Sequence, residues 1–359
     1  MAINLMKSYE TKLDERFKGK SLTEAWCGHD YDWDGVNSIV VYTNENMAVQ
    51  DYTLTGANRF TSGNAPTNIG DEANTYTLQK KRSFSGVIEG VQNMDQKMIK
   101  KANSLLKQTW DEVMVPEIDA YRLSTWVNGA GTVDIGSALT KGTVVEQMMV
   151  GGSKMNNRLV NRDGRVVFVT ESLAVKCKLA SELANNESFT TKAIVNGQIA
   201  RLNGVPIVAV PDSWMPAGVE FFIKYKRASA DPTKLKMLRA LNQVQGIYGT
   251  VLEGLTRYDS FVLAQKAFGI YVYATTSHAA VTPSIAVSGG TVTLTASGAT
   301  VIYYTTDGSN PKTSGTVATY DGSNKPTGLT EGQVVKAYAT LSGYPSSGIA
   351  EHVVLASED

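Results

Sequence analysis

Six residues, CGHDYD, bring a thiol, an imidazole and two carboxylates together at Cys27, His29, Asp30 and Asp32. Such side chains bind zinc, but a zinc site takes a second ligand pair, and Cys177, His278 and His352 each stand alone. The pattern predicts a loop with a stray thiol and no metal. Residues 150–157, VGGSKMNN, hold the small residues of a phosphate loop without its GxxxxGK[ST] spacing, and Ser153-Lys154 runs in the reverse order. Glu117 and Asp119 lie two apart, on different faces of a helix, so helix-end charge explains them better than general acid–base work. Three histidines and no nucleophile turn leave a Ser-His-Asp arrangement without a centre. Asp307 and Asp321 each precede a glycine, where an aspartate bonds its own turn. No catalytic residue, cofactor or metal is expected.

Composition narrows the remaining classes. The 359 residues carry 34 basic and 34 acidic side chains, so the chain lacks the basic excess with which a protein grips phosphates. Two cysteines make no disulfide framework. No apolar run has the length of a membrane span, and the first residues lack the apolar core of a signal peptide. The expectation is a soluble, cytoplasmically made chain of two or more domains.

The elements follow from periodicity. Between Gln96 and Val127, Ile99, Ala102, Leu106, Trp110 and Val113 recur three or four apart, with Lys100, Lys101, Lys107 and Asp111 on the other side of a long amphipathic helix. Pro116 should kink that helix or open a second one at its first turn. Leu5, Tyr9, Leu13 and Phe17 mark a short N-terminal helix, and Ile39 to Tyr42 a strand. Residues 48–90 read as two extended limbs around a turn-rich middle, with a basic step at Lys80, Lys81 and Arg82. Such a hairpin has too few apolar residues to hold itself and needs a partner surface. Beyond it, helical spacing at Val144, Met148 and Met149, a strand over Val166–Thr170, a helix over Glu171–Leu183, a strand over Val205–Val210 and further strands over 218–229 and 244–273 predict an α/β or α+β core.

VPEIDAYR, residues 115–122, resembles the end of the spine helix in tailed-phage major capsid proteins. The stretch 75–97 before it resembles the return strand of that family's extended loop. VVFVTESL and NGVPIVAVPDSW resemble its peripheral and axial domains, and residues 254–273 its closing strands. The resemblance implies an α+β capsid fold: N-terminal arm over 1–47, extended loop (β-hairpin) over 48–94, spine-helix region over 95–139, peripheral/axial core over 140–211, axial domain and return strands over 212–281. It implies a structural role, with hexamers and pentamers closing an icosahedral shell around double-stranded DNA without sequence-specific contacts. The implied subunit-contact positions are Leu5, Tyr9, Leu13 and Phe17 in the arm, Arg59, Lys80, Lys81 and Arg82 in the loop, and Glu117, Asp119 and Arg122 in the spine. Some shells of this fold crosslink a lysine to an asparagine; Lys80 or Lys81 holds that position, with no acid or asparagine partner evident. A separate scaffolding protein, a portal protein and minor capsid proteins are the implied partners, with no membrane.

Composition changes near residue 275: every Met and Trp lies before it, and Thr, Ser, Gly and Val dominate after it. Short alternating runs at 284–287, 291–296, 300–305 and 334–339, divided by Asp307-Gly308, Asp321-Gly322 and Glu331-Gly332, predict a small all-β sandwich. VIYYTTDGSNPKTSG with VKAYATLSGYPSS resembles the immunoglobulin-like module appended to chitobiases, which implies an accessory domain over 282–359 with no activity of its own; on a capsid shell it is expected to project outward. An encapsulin-like nanocompartment shell and a carbohydrate-binding or surface-adhesion protein acting through this module remain as alternatives.

Overall fold

The computed structural model describes residues 21–28, 30–31, 38–44, 51–61, 71–90, 93, 102–180, 198–242, 244–275, 280–323 and 325–355. The arm positions Leu5, Tyr9, Leu13 and Phe17, together with His29, Asp32, Ile99 and His278, lie outside the described residues.

In chain order, β1 (Ser38–Asn44) pairs antiparallel with β2 (Asp71–Thr77), and β3 (Lys80–Glu89) follows at once. Next come α1 (Ala102–Thr109), a π-helical turn (Trp110–Met114) and α2 (Val115–Asn128). Pro116 indeed opens a second segment. Val115 N–H donates to Trp110 O five residues back, and Pro116 enters α2 in its first turn, where no amide donor is needed. The wider turn also shifts the buried stripe. Leu106, Trp110, Met114 and Ile118 are buried at four-residue steps, whereas Val113, expected on that stripe, is half exposed.

The core sheet runs in the order β4-β13-β8-β5-β7-β6. Its strands are β4 (Thr132–Gly136), β5 (Arg165–Thr170), β6 (Gln198–Leu202), β7 (Val205–Val210), β8 (Val219–Tyr225) and β13 (Ile270–Thr275). Two helices, α3 (Val144–Asn157) and α4 (Glu171–Leu179), cover one face, and α2 covers the other. Both faces are therefore buried, which is why RVVFVT and VPIVAV read as continuous apolar runs rather than alternating ones. Phe168 and Phe222 stack at 5.0 Å beneath Trp126, while Val167, Phe221 and Tyr273 point to α3 and α4. The Asn203-Gly204 turn joins β6 to β7 with both residues at positive φ, the twist a two-residue hairpin needs. Thr170 caps α4 by accepting from Leu173 N–H at 3.2 Å.

Two findings differ from the sequence reading. Residues 233–242, for which periodicity suggested no element, form β10 (Thr233–Asn242) after a short β9 (Ser229–Ala230). The surface that β3 needs is supplied within the chain: β3 pairs with β11 (Gly249–Tyr258), and β11 with β10, in a three-stranded tongue. A Cβ at Gly254 would clash with the Phe84 ring, so glycine lets the facing aromatic lie flat across the strand. Past β12 (Phe261–Val262), the C-terminal domain packs β14 (Ser284–Ser288) and β15 (Thr291–Thr295) against a sheet. That sheet is built from β16 (Val301–Thr305), β17 (Ala318–Thr319), β18 (Val334–Thr340) and β19 (Ala350–Val353), with Val292, Leu294, Val335 and Ala337 buried between the layers. Asp307 and Asp321 bond their own turns, accepting from Ser309 N–H at 2.9 Å and Ser323 N–H at 3.0 Å.

Candidate assembly interface

The polar side chains of α2 divide between the chain's interior and its surface. Asp119 is fully buried and accepts from Ser21 Oγ, Leu22 N–H and Thr23 Oγ1 at 2.6–2.8 Å. Arg122, 2 % exposed, donates to Glu24 at 2.6 Å and to Thr23 and Thr233 at 3.3 Å. Both residues are thus engaged within the chain, fastening residues 21–24 along the helix. Beside them Asp231 takes Gly28 N–H, Trp126 Nε1–H, Ser229 Oγ and Ser260 Oγ at 2.5–3.2 Å. Lys224 is buried here too, donating to Trp26 O at 2.7 Å with its ammonium 4.1 Å from the Trp126 ring. Burial lowers its pKa to about 8, with Asp231 opposing the shift.

Cys27, from the only metal-like cluster, joins the same interior. Its thiol donates to Thr23 O at 3.4 Å, and burial raises its pKa well above the ordinary value, as does the neighbouring Asp231 charge. Asp30 lies 3.6 Å from Arg227 instead. Lys154, of the glycine-rich stretch, pairs with Asp134 at 2.6 Å.

Of the remaining predicted positions, Lys80, Lys81 and Arg82 lie on the tongue, Glu117 on α2 and Arg59 between β1 and β2. Arg82 bonds Glu117 at 2.5 Å, and Tyr258 donates to the same carboxylate at 3.1 Å, tying β3 and β11 to α2. Lys80 sits 4.8 Å over the Tyr121 ring. Lys81 lies directly opposite Arg257 across the β3–β11 ladder, where like charges repel, and Arg257 Nε is buried without an acceptor. Arg59 is exposed, bonding Gly56 O at 3.3 Å. Around it Leu54 and Phe60 are 81 % and 85 % exposed, and Tyr52 meets Phe60 edge to face.

A joint that sequence reading missed lies at the other end of α2. Helix C-termini leave carbonyls without donors. Lys312 of the C-terminal domain donates to Asn128 O at 2.9 Å and Ala130 O at 2.7 Å, and Ser346 Oγ donates to Asn128 O at 2.7 Å. Asn310 donates to Ala264 O, and Ile349 N–H to Gly131 O. Ile349 itself is buried in the cluster that contains Trp126. Burial lowers the Lys312 pKa to about 7, although the two carbonyls and the negative end of the helix favour its charge.

The structure is similar to chains from three phage structures. A chain of Mycobacterium phage Che8 aligns with a TM-score of 0.61 at 16 % identity, covering 76 % of this chain and 98 % of that one. The capsid of cyanophage P-SCSP1u aligns at 0.61 and 10 %, covering 76 % and 93 %, and the mature capsid of bacteriophage PhiM1 at 0.59 and 10 %, covering 76 % and 92 %. The fold is that of phage capsid chains. The chitobiase/beta-hexosaminidase C-terminal domain family matches residues 283–351, and no curated protein matches the chain.

Two substitutions probe these joints. Asp231→Ala strips the acceptor from four buried donors and leaves Lys224 without its nearest counter-charge, so urea unfolding should show a loss of about 3–5 kcal/mol. Lys312→Met takes the cation from two carbonyls and leaves Asn128 O with Ser346 Oγ alone. It should cost about 1–3 kcal/mol at the joint alone, seen as faster amide exchange at residues 310–314 and 345–349 with β5 and β8 unchanged.

Proposed function

We propose that this chain is the major shell subunit of a tailed bacteriophage, assembling as hexamers and pentamers into an icosahedral capsid around double-stranded DNA. The observation that carries the proposal is the capsid-chain fold, spanning 92–98 % of three phage chains. The surface chemistry agrees with it. Tyr52, Leu54 and Phe60 form an exposed aromatic and aliphatic tip that no described residue covers, and Val87 and Val113 add half-exposed apolar groups on the tongue and helix. Large apolar side chains left open to solvent in this way offer a contact to another molecule. The Lys81–Arg257 pair, repulsive within one subunit, becomes favourable when a neighbour supplies a carboxylate.

Each subunit held by several neighbours gains durability from many modest interfaces, without one large one. Containing DNA then depends on closure of the shell, in keeping with a neutral chain. A separate scaffolding protein, a portal and minor capsid proteins complete the assembly, and the C-terminal domain decorates the outer surface. The protein resides in the virion capsid after assembly in the host cytoplasm. No helix among the described residues is long and apolar enough to cross a membrane.

Negative-stain microscopy of the purified chain, with scaffold co-expressed, should show closed shells or free capsomers. A monomer under every such condition would sink the proposal. Leu54→Asp with Phe60→Asp should abolish shells while unfolding free energy stays within about 0.5 kcal/mol of the parent, since both side chains are already exposed.

A further inference from the structure

The joint between α2 and the C-terminal domain encloses a cleft of about 730 Å³, within the size range of small-ligand sites. One wall is β2 and the end of α2, and the other is β18 with the loop after it. Lys312, Asn310 and Ser346 tie these walls together through main-chain oxygens, so the cleft is formed before any ligand arrives.

Its chemistry is selective. On β2, Thr75 and Thr77 are exposed on the same side at period two, and Gln79 continues the row. Asn128 makes only long amide contacts, 3.5 Å to Ser124 Oγ and 3.4 Å from Ser346 N–H. Tyr344, 37 % exposed, supplies a ring, and Phe261 supplies another across the cleft. Stacking on Tyr303 at 5.2 Å holds Tyr338 in place at the edge. Among the described residues that line the cleft none is acidic, and the one cation, Lys312, is spent on the helix carbonyls.

This lining selects among ligand classes. Among these described lining residues an anion would find no free cation, and a cation no carboxylate. A wholly apolar ligand would strand the hydroxyls and amides without partners. Hydroxyl side chains both donate and accept, and tyrosine joins an apolar body to a polar tip. A second cleft of about 680 Å³ beneath α3 carries Arg162, Arg165, Arg201 and Asp163, so neutrality is a property of this cleft and not of the surface at large. We propose that the cleft between the end of α2 and the C-terminal domain binds a neutral oligosaccharide, its hydroxyls met by Thr75, Thr77, Gln79 and Asn128 and its apolar faces by Tyr344 and Phe261.

Calorimetric titration of the full chain with maltohexaose, cellohexaose, mannohexaose and chitohexaose tests this, with oligogalacturonate as the charged comparison. At least one neutral hexasaccharide should bind below millimolar Kd, and oligogalacturonate should not. Tyr344→Ala and Gln79→Ala should each weaken binding about tenfold, Tyr344→Phe should restore it, and Tyr248→Ala, outside the cleft, should leave it unchanged. Absence of binding at millimolar sugar, preference for the acidic sugar, or full affinity in both alanine variants overturns the proposal. So does shell assembly lost in those variants with no sugar bound by the parent, which would make the cleft a subunit contact. The titration does not depend on shell formation, so its failure and that of the capsid proposal are separable.

Discussion

A carboxylate taken out of water must find donors for its oxygens, and Asp231 is where this chain meets that demand. Its donors come from Gly28 on the segment before β1, Trp126 on α2, Ser229 on β9 and Ser260 before β12. Lys224 of β8 adds the opposing charge, held against the Trp126 ring. An arrangement that leaves any of these groups unmet costs several kcal/mol per ion, so packings that misplace the helix, the segment or the strands are excluded together. Gly28 shows how tight the fit is, since a Cβ there would overlap the carbonyl of Ser229. The apolar sheet beneath provides most of the favourable burial, and the polar centre specifies which segments lie upon it.

Stability and exposure are distributed accordingly. The core strands are buried on both faces, while β3 is exposed along nearly its whole length. The tongue is pinned at its base by Glu117, Arg82 and Tyr258 and packed along α1 by Leu106, Ile88 and Leu252. The tongue is thereby positioned without depending on its own small core.

At the other end of α2, the helix terminus supplies unpaired carbonyls and the C-terminal domain supplies the cation that satisfies them. Ile349 and the main chain of Gly131 extend this contact into the apolar interior, and Arg158 reaches Glu351 at 3.2 Å. The accessory domain is therefore continuous with the core rather than strung from it, and the polar cleft exists only because both walls are held.

Local chemistry was legible in the sequence. Continuous apolar runs marked the buried strands, Asp307 and Asp321 marked turns, and Pro116 marked the start of a helix segment, because each depends on neighbours a few residues away. The VPEIDAYR and VVFVTESL phrases pointed to the capsid fold and the alternating Thr-rich tail to a sandwich. What only the tertiary structure decided involves distant partners: β3 on β11, Asp119 and Arg122 turned inward to residues 21–24, Cys27 in the core, and Lys312 on a helix end 184 residues earlier. A charged side chain looks the same in sequence whether it meets water, another subunit or its own buried counterpart. Burial depends on which surfaces the whole chain brings together, and periodicity within one segment carries no record of that.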